Sequence, residues 1–217
     1  MAAQYTLILG TPFVSSWSLR PYVAMRATGA PFEKIFITLR QPETKEQIFK
    51  HSPSGKVPIL KISENGKTVT VWDSLAICET LAERHPDIGL WPDNAGARAE
   101  ARSISAEMHS GFPDVRDQLD CKFGSTLPLP DLRDDTKKQV ARIIELWSSA
   151  LSRFGNSDGY LFGRFSVADC MYAPVVSRFS TYGVEVPGNV KAYMDNIWAL
   201  PAMREWKGFV ESGIAAL

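Results

Sequence analysis

The chain has 217 residues, 45% of them hydrophobic and 22% charged, which is enough to bury a core in one large or two small domains and excludes disorder. Its 24 basic residues cancel its 24 acidic ones, so no net field draws it to nucleic acid or an anionic membrane; small neutral partners, or anions held by a few specific groups, fit better. The opening residues lack the basic start and apolar stretch of a secretory signal, and no run is long enough to span a bilayer, so a soluble cytoplasmic protein is expected.

Tyr5 to Leu9 reads as a short strand ending at Gly10, followed by a loop and a helix from Leu19 to Ala27 that Gly29 and Pro31 stop. Phe32 to Thr38 suggests a second strand, Thr44 to His51 a short polar helix, and Val57 to Ile62 a third strand entered through Pro58. Asn65-Gly66 signals a tight turn into a fourth strand, Thr68 to Trp72. Leu75, Cys78 and Ala82 then repeat at helical spacing. The order is β-α-β-α-β-β-α, an α/β unit with a parallel crossover followed by a hairpin.

His85-Pro86-Asp87 ends that unit, giving an expected first domain over 1–85, a linker over 86–94 and a second domain over 95–217. Beyond the linker the pattern is helical throughout. Ala97 to Leu119 carries Ile104, Met108, Phe112, Val115 and Leu119, and reads as one helix. Val140 to Phe154 makes a clear apolar stripe. Leu127-Pro128-Leu129-Pro130 breaks the pattern, and further helices are expected over Val167 to Phe179, Val190 to Ala199 and Pro201 to Val210. Cys78, Cys121 and Cys170 are odd in number and widely spaced, with no CxxC pair or metal-ligand spacing, so they read as buried, inert thiols and no metal site is expected.

Three places could carry chemistry, and all lie at the ends of elements in the α/β unit, where a ligand crevice is expected. The loop Thr11 to Ser18 precedes the first helix, where backbone N–H groups and the helix dipole favour an anion such as a thiolate; its serines could equally cap the helix. Lys56-Val57-Pro58 stands at a strand entry, where a cis bond can turn backbone groups towards a ligand, or the proline can serve only as an edge device. Asp73-Ser74 heads the third helix, as a cap or as a holder of an external charged group.

The stretches SSWSLR (15–20), SPSGKVPIL (52–60) and WDSLAICETLAE (72–83) together resemble the signatures of cytosolic glutathione transferases. In the second half, GRFSVAD (163–169) resembles that family's capping box and hydrophobic staple, in which Ser166 and Asp169 fix where a buried helix begins. The resemblance implies a thioredoxin-like N-terminal domain, an all-α C-terminal domain and glutathione as cosubstrate. SSWSLR is most similar to the serine-type classes, zeta and tau, although Trp17 stands where zeta usually carries cysteine. Ser15 matches the catalytic serine of those patterns, with Ser16 and Ser18 as alternates.

The resemblance further implies that Val57 offers its backbone to the cysteinyl part of glutathione, with Pro58 cis. Asp73 and Ser74 would hold the γ-glutamyl end, and Lys56 would meet the glycyl carboxylate or a neighbouring group. Ser52 replaces an asparagine frequent in the family, and Lys45 and His51 are the only further candidates for the glycyl site. Pro12, Phe13, Trp17, Met108 and Phe112 are the candidates for an apolar wall that holds the acceptor, although a plain core role competes for Met108 and Phe112. His109 could face solvent, the pocket or the core, and no catalysis is assigned to it. Conjugation of glutathione to a small hydrophobic electrophile leads as the function, ahead of a zeta-like isomerase and a non-enzymatic binding module. A homodimer is implied by the resemblance alone.

Overall fold

The computed structural model describes residues 3–216. Its first half is a four-stranded mixed sheet, ordered β2-β1-β3-β4, made of β1 (Gln4–Gly10), β2 (Phe32–Ile37), β3 (Ile59–Glu64) and β4 (Lys67–Trp72). β1 runs parallel to β2 and antiparallel to β3, and β3 and β4 form the hairpin that turns at Asn65-Gly66. The period-two alternation of β1 explains its two faces. Leu7 and Leu9 enter the main core, whereas Ile8 joins a smaller cluster with Ile37, Ile48 and Ile59 on the other side.

The helices α1 (Ser16–Ala27) and α3 (Ser74–Arg84) pack together over the main core, and α2 (Thr44–Phe49) supplies Ile48 to the smaller cluster. α1 begins three residues before the apolar pattern does, because Ser16 and Ser18 turn inward and are buried. The expected linker folds into a 3₁₀ turn over Pro86–Ile88, and Leu90 accepts a hydrogen bond from the Val167 amide at 2.8 Å, which ties it to the second half.

That half is helical: α4 (Ala95–Ser110), α5 (Pro113–Gln118), α6 (Asp134–Phe154), α7 (Val167–Tyr182), α8 (Gly188–Ala199) and α9 (Pro201–Glu211). The single helix expected over Ala97 to Leu119 is two helices. Phe112 sits at φ 58° and Pro113 follows it, so α4 stops at Ser110 and the chain restarts as α5. Gly111 is suited to the break, since a Cβ there would lie 2.7 Å from the Glu107 carbonyl oxygen.

α7 is buried along nearly its whole length and packs on α1, α3 and α4, so one continuous core spans both halves. Asp169, in its first turn, accepts from the Ser166 amide at 2.8 Å, the Ser166 hydroxyl at 3.0 Å and the Leu161 amide at 3.3 Å. Burial still pushes its pKa up to about 6. α9 returns to the first half, where the Trp206 indole donates to the Pro12 carbonyl at 3.0 Å. No helix among the described residues is long and apolar enough to cross a membrane.

Candidate functional site

A cleft of about 780 Å³ opens where the two halves meet. One wall comes from Trp17, Leu39 and Ile48, and a second from residues 54–58. Trp72, Asp73 and Ser74 form the floor at the head of α3, and His109 closes the cleft from the last turn of α4. The fold therefore brings Trp17, Lys56, Val57, Pro58, Asp73 and Ser74 to one space, although they come from three separate stretches of sequence.

Each is positioned by a local cause. The Val57–Pro58 peptide is cis and leads directly into β3. Lys56 is exposed and has no ion-pair partner among the described residues. Asp73 stands at φ 77°, outside the helix it starts, and its Oδ1 accepts from the amides of Leu75 at 2.9 Å and Ala76 at 3.2 Å. That satisfies two orphan donors of α3 and leaves Oδ2 turned towards the cleft. Oδ2 lies 3.0 Å from Nε2 of His109.

Ser74 is fully buried, and its hydroxyl accepts from Nη1 of Arg20 at 3.2 Å. Arg20 is itself only 1% exposed, with Nε lacking a partner, and burial followed by the nearby Arg116 lowers its pKa to about 9, which leaves it charged at neutral pH. Its guanidinium carbon lies over the Trp17 ring, 4.3 Å from the centroid, where the ring's quadrupole attracts the charge, and that of Arg116 lies 4.9 Å from the same ring. The edge of His109 meets Trp17 at 5.2 Å between centroids. Burial lowers the His109 pKa, Asp73 opposes that shift, and Arg20 and Arg116 reinforce it.

The serines of the α1 entry divide their tasks. Ser15 is the N-cap residue of α1, yet its hydroxyl caps no helical amide; it donates to Ser18 Oγ at 2.7 Å. Ser18 Oγ also accepts from the Gly10 amide at 2.9 Å, and Ser16 Oγ accepts from Arg178 at 3.2 Å. Ser15 is 5% exposed and is not among the residues that line the cleft, whereas Trp17, two residues on, is.

The expected acceptor wall is only partly assembled. Trp17 lines the cleft, but Met108 and Phe112 are 2% and 6% exposed and belong to the core, so neither reaches it. Met108 and His109 are adjacent on a helix and point about 100° apart, which is why one packs inward and the other faces the cleft. Pro12 is buried under Trp206, and the half-buried Phe13 ring lies under Lys122 at 5.6 Å; neither lines the cleft. The sequence left His109 open between solvent, pocket and core, and it gave no role in this region to Arg20, Trp72 or Leu39. Of these, only the polar His109 beside an apolar stripe carried a readable signal.

Lys45 is exposed, and His51 faces Lys61 at 3.4 Å instead of the cleft. The three cysteines are buried, and burial pushes the Cys78 thiol up to about 12. Among the described residues no group of three or more His, Cys, Asp or Glu side chains could hold a metal.

Residues 14–84 match the family described as Glutathione S-transferase, N-terminal domain, and residues 130–206 match Glutathione S-transferase, C-terminal domain. The chain is 36% identical over 98 residues to a protein of Caenorhabditis elegans named "Probable maleylacetoacetate isomerase", a match covering 45% of this chain and 44% of that one. It is 26% identical over 183 residues to the maleylacetoacetate isomerase of Rattus norvegicus, covering 82% and 81% of the two chains. The crystal structure of a glutathione transferase homolog from Burkholderia GL BGR1, with bound glutathione, superposes with a TM-score of 0.71 at 23% identity, over 96% of this chain and 99% of that one.

Proposed function

The chain belongs to the glutathione S-transferase family, and on that premise we propose that it binds glutathione in this cleft and conjugates its sulfur to a small electrophile. The observation that carries the reading is the convergence of Lys56-Val57-Pro58 and Asp73-Ser74 on one cleft at the entry to α1. That donor set suits a zwitterionic peptide. Lys56 supplies a free cation for a terminal carboxylate, Val57 a backbone edge, and Asp73 an anion for an ammonium group, beside the Ser74 hydroxyl.

Ser15 is the proposed thiolate partner. A serine hydroxyl is far too weak an acid to serve as a base, so its role is to donate a hydrogen bond to the sulfur once the proton has left. Lowering a thiol pKa from about 8.5 by two units needs roughly 2.7 kcal/mol of preferential thiolate stabilisation. One charge-assisted hydrogen bond supplies about 1.5–3 kcal/mol and the start of α1 up to about 1 more, so these parts suffice. Trp17 and His109 would flank the acceptor.

The likeness to two maleylacetoacetate isomerases favours a second reading, a glutathione-dependent isomerase. Product analysis separates the two: conjugation consumes glutathione, whereas isomerisation returns it. Binding of glutathione without turnover of either substrate type would instead leave a non-enzymatic module. A cytoplasmic homodimer completes the proposal, and sedimentation equilibrium at micromolar concentration tests it; an active species at the chain mass of 24.1 kDa would refute the dimer.

A further inference from the structure

We propose that His109 is a positioning residue that holds the free oxygen of Asp73 and makes capture of a ligand ammonium group at that carboxylate depend on pH. The inference rests on the reading of Asp73 as the partner of glutathione's γ-glutamyl ammonium. It goes beyond that reading in assigning a role to the helical half of the chain.

The geometry leaves little choice. Asp73 Oδ1 is committed to the Leu75 and Ala76 amides, so an incoming cation has only Oδ2, and Oδ2 already lies 3.0 Å from His109 Nε2. Asp73 belongs to the first half of the chain and His109 to the end of α4, so the contact spans the cleft. Nδ1 of His109 is buried and has no hydrogen-bond partner among the described residues. The neutral ring therefore carries its hydrogen on Nε2, donates it to Asp73, and leaves the carboxylate its full charge. A second proton has to enter at Nδ1, where no acceptor waits.

The charged groups around the ring point the same way. Arg20 from α1 and Arg116 from α5 disfavour the imidazolium, Asp73 favours it, and burial disfavours it most. At neutral pH His109 is thus an uncharged donor that orients Asp73. In acid it becomes a cation that neutralises Asp73 and competes with the ligand ammonium. Ligand binding and His109 protonation are then mutually exclusive in part, so each must weaken the other by the same factor.

S-methylglutathione is the probe, because it keeps the ammonium group and has no thiol to titrate. Its affinity, followed by tryptophan fluorescence between about pH 5 and 8, should fall about three- to fivefold towards the acid end, as expected for a partly exposed pair. His109→Gln keeps a donor but cannot titrate, so it should match the parent at high pH and show a flat profile. In the parent protein the NMR titration of His109 should shift to lower pH when S-methylglutathione binds, a measurement that needs no variant. An acid fall retained in His109→Gln, or a His109 titration unmoved by ligand, would overturn the proposal. An analogue of S-methylglutathione lacking the γ-glutamyl amino group should bind with a flat profile; the same acid fall would show that the coupling bypasses the ammonium. Failure of S-methylglutathione to bind at any pH would overturn the glutathione reading itself.

Discussion

Replacing Ser15 by alanine tests the proposed chemistry most directly, and the hydrogen bonds around Ser15, with the general strength of a charge-assisted bond, set the size of the expected effect. In the free protein the Ser15 hydroxyl donates to Ser18 Oγ, which also accepts from the Gly10 amide. Ser18 has a proton of its own. If the bond between the two hydroxyls reverses, Ser18 donates to Ser15 and the Ser15 proton is released for the sulfur, with no hydrogen bond lost. The gain is then a full charge-assisted bond, about 1.5–3 kcal/mol, rather than the difference between that and a neutral one. At 1.36 kcal/mol per pKa unit, Ser15→Ala should raise the pKa of bound glutathione by about one to two units. The ultraviolet absorbance of the thiolate, titrated with and without each variant, measures this, and glutathione affinity at low pH should stay within a few-fold. Ser18→Ala should give a smaller shift together with lost stability, since the buried Gly10 amide loses its acceptor. An unchanged titration curve in Ser15→Ala would remove Ser15 from the role, and a full shift in Ser16→Ala would transfer it there.

Asp73→Asn keeps an oxygen for the Leu75 and Ala76 amides and tolerates the positive φ, so thermal stability should hold while glutathione affinity falls about tenfold and kcat at saturation does not. A fall in kcat with unchanged affinity would refute its assignment to the end of the ligand remote from the sulfur. Asp169 carries the opposite kind of consequence, for stability. Its native pKa of about 6 exceeds the ordinary unfolded value of about 3.9, so between those values the native state holds a proton that the unfolded state releases. Its favourable contribution is therefore complete below about pH 4 and is lost as pH rises to about 6, by roughly 3 kcal/mol. Urea unfolding of the parent and of Asp169→Asn across that range should show the parent's advantage shrinking with pH; parallel curves would refute the raised pKa.

What the sequence disclosed was local, and what it withheld depended on how one surface meets another. The short strand run from Tyr5 to Leu9, the Asn65-Gly66 turn and the Ser166–Asp169 capping box are written within a few residues, and each forms where the pattern places it. The Ala97 to Leu119 reading failed because apolar spacing continues through Phe112, Val115 and Leu119 while Gly111-Phe112-Pro113 forces a new helix; the breakers were legible and the periodicity outweighed them. Periodicity also identified Met108 as an inward residue without showing that inward meant core rather than cleft. Its neighbour His109 took the cleft position because α4 ends against the head of α3.

Trp17 shows how far such reasoning reaches. A bulky indole where the zeta pattern carries a cysteine is legible in the sequence alone. Arg20, three residues on along α1, is at helical spacing from that ring and lies 4.3 Å from it, but that the ring would also gather Arg116 at 4.9 Å and His109 at 5.2 Å could not be read from spacing, since those two lie on α5 and α4. A cysteine side chain offers no π face to two guanidinium groups, so the substitution changes more than the volume of the cleft. It holds two guanidinium groups against a ring that lines the cleft.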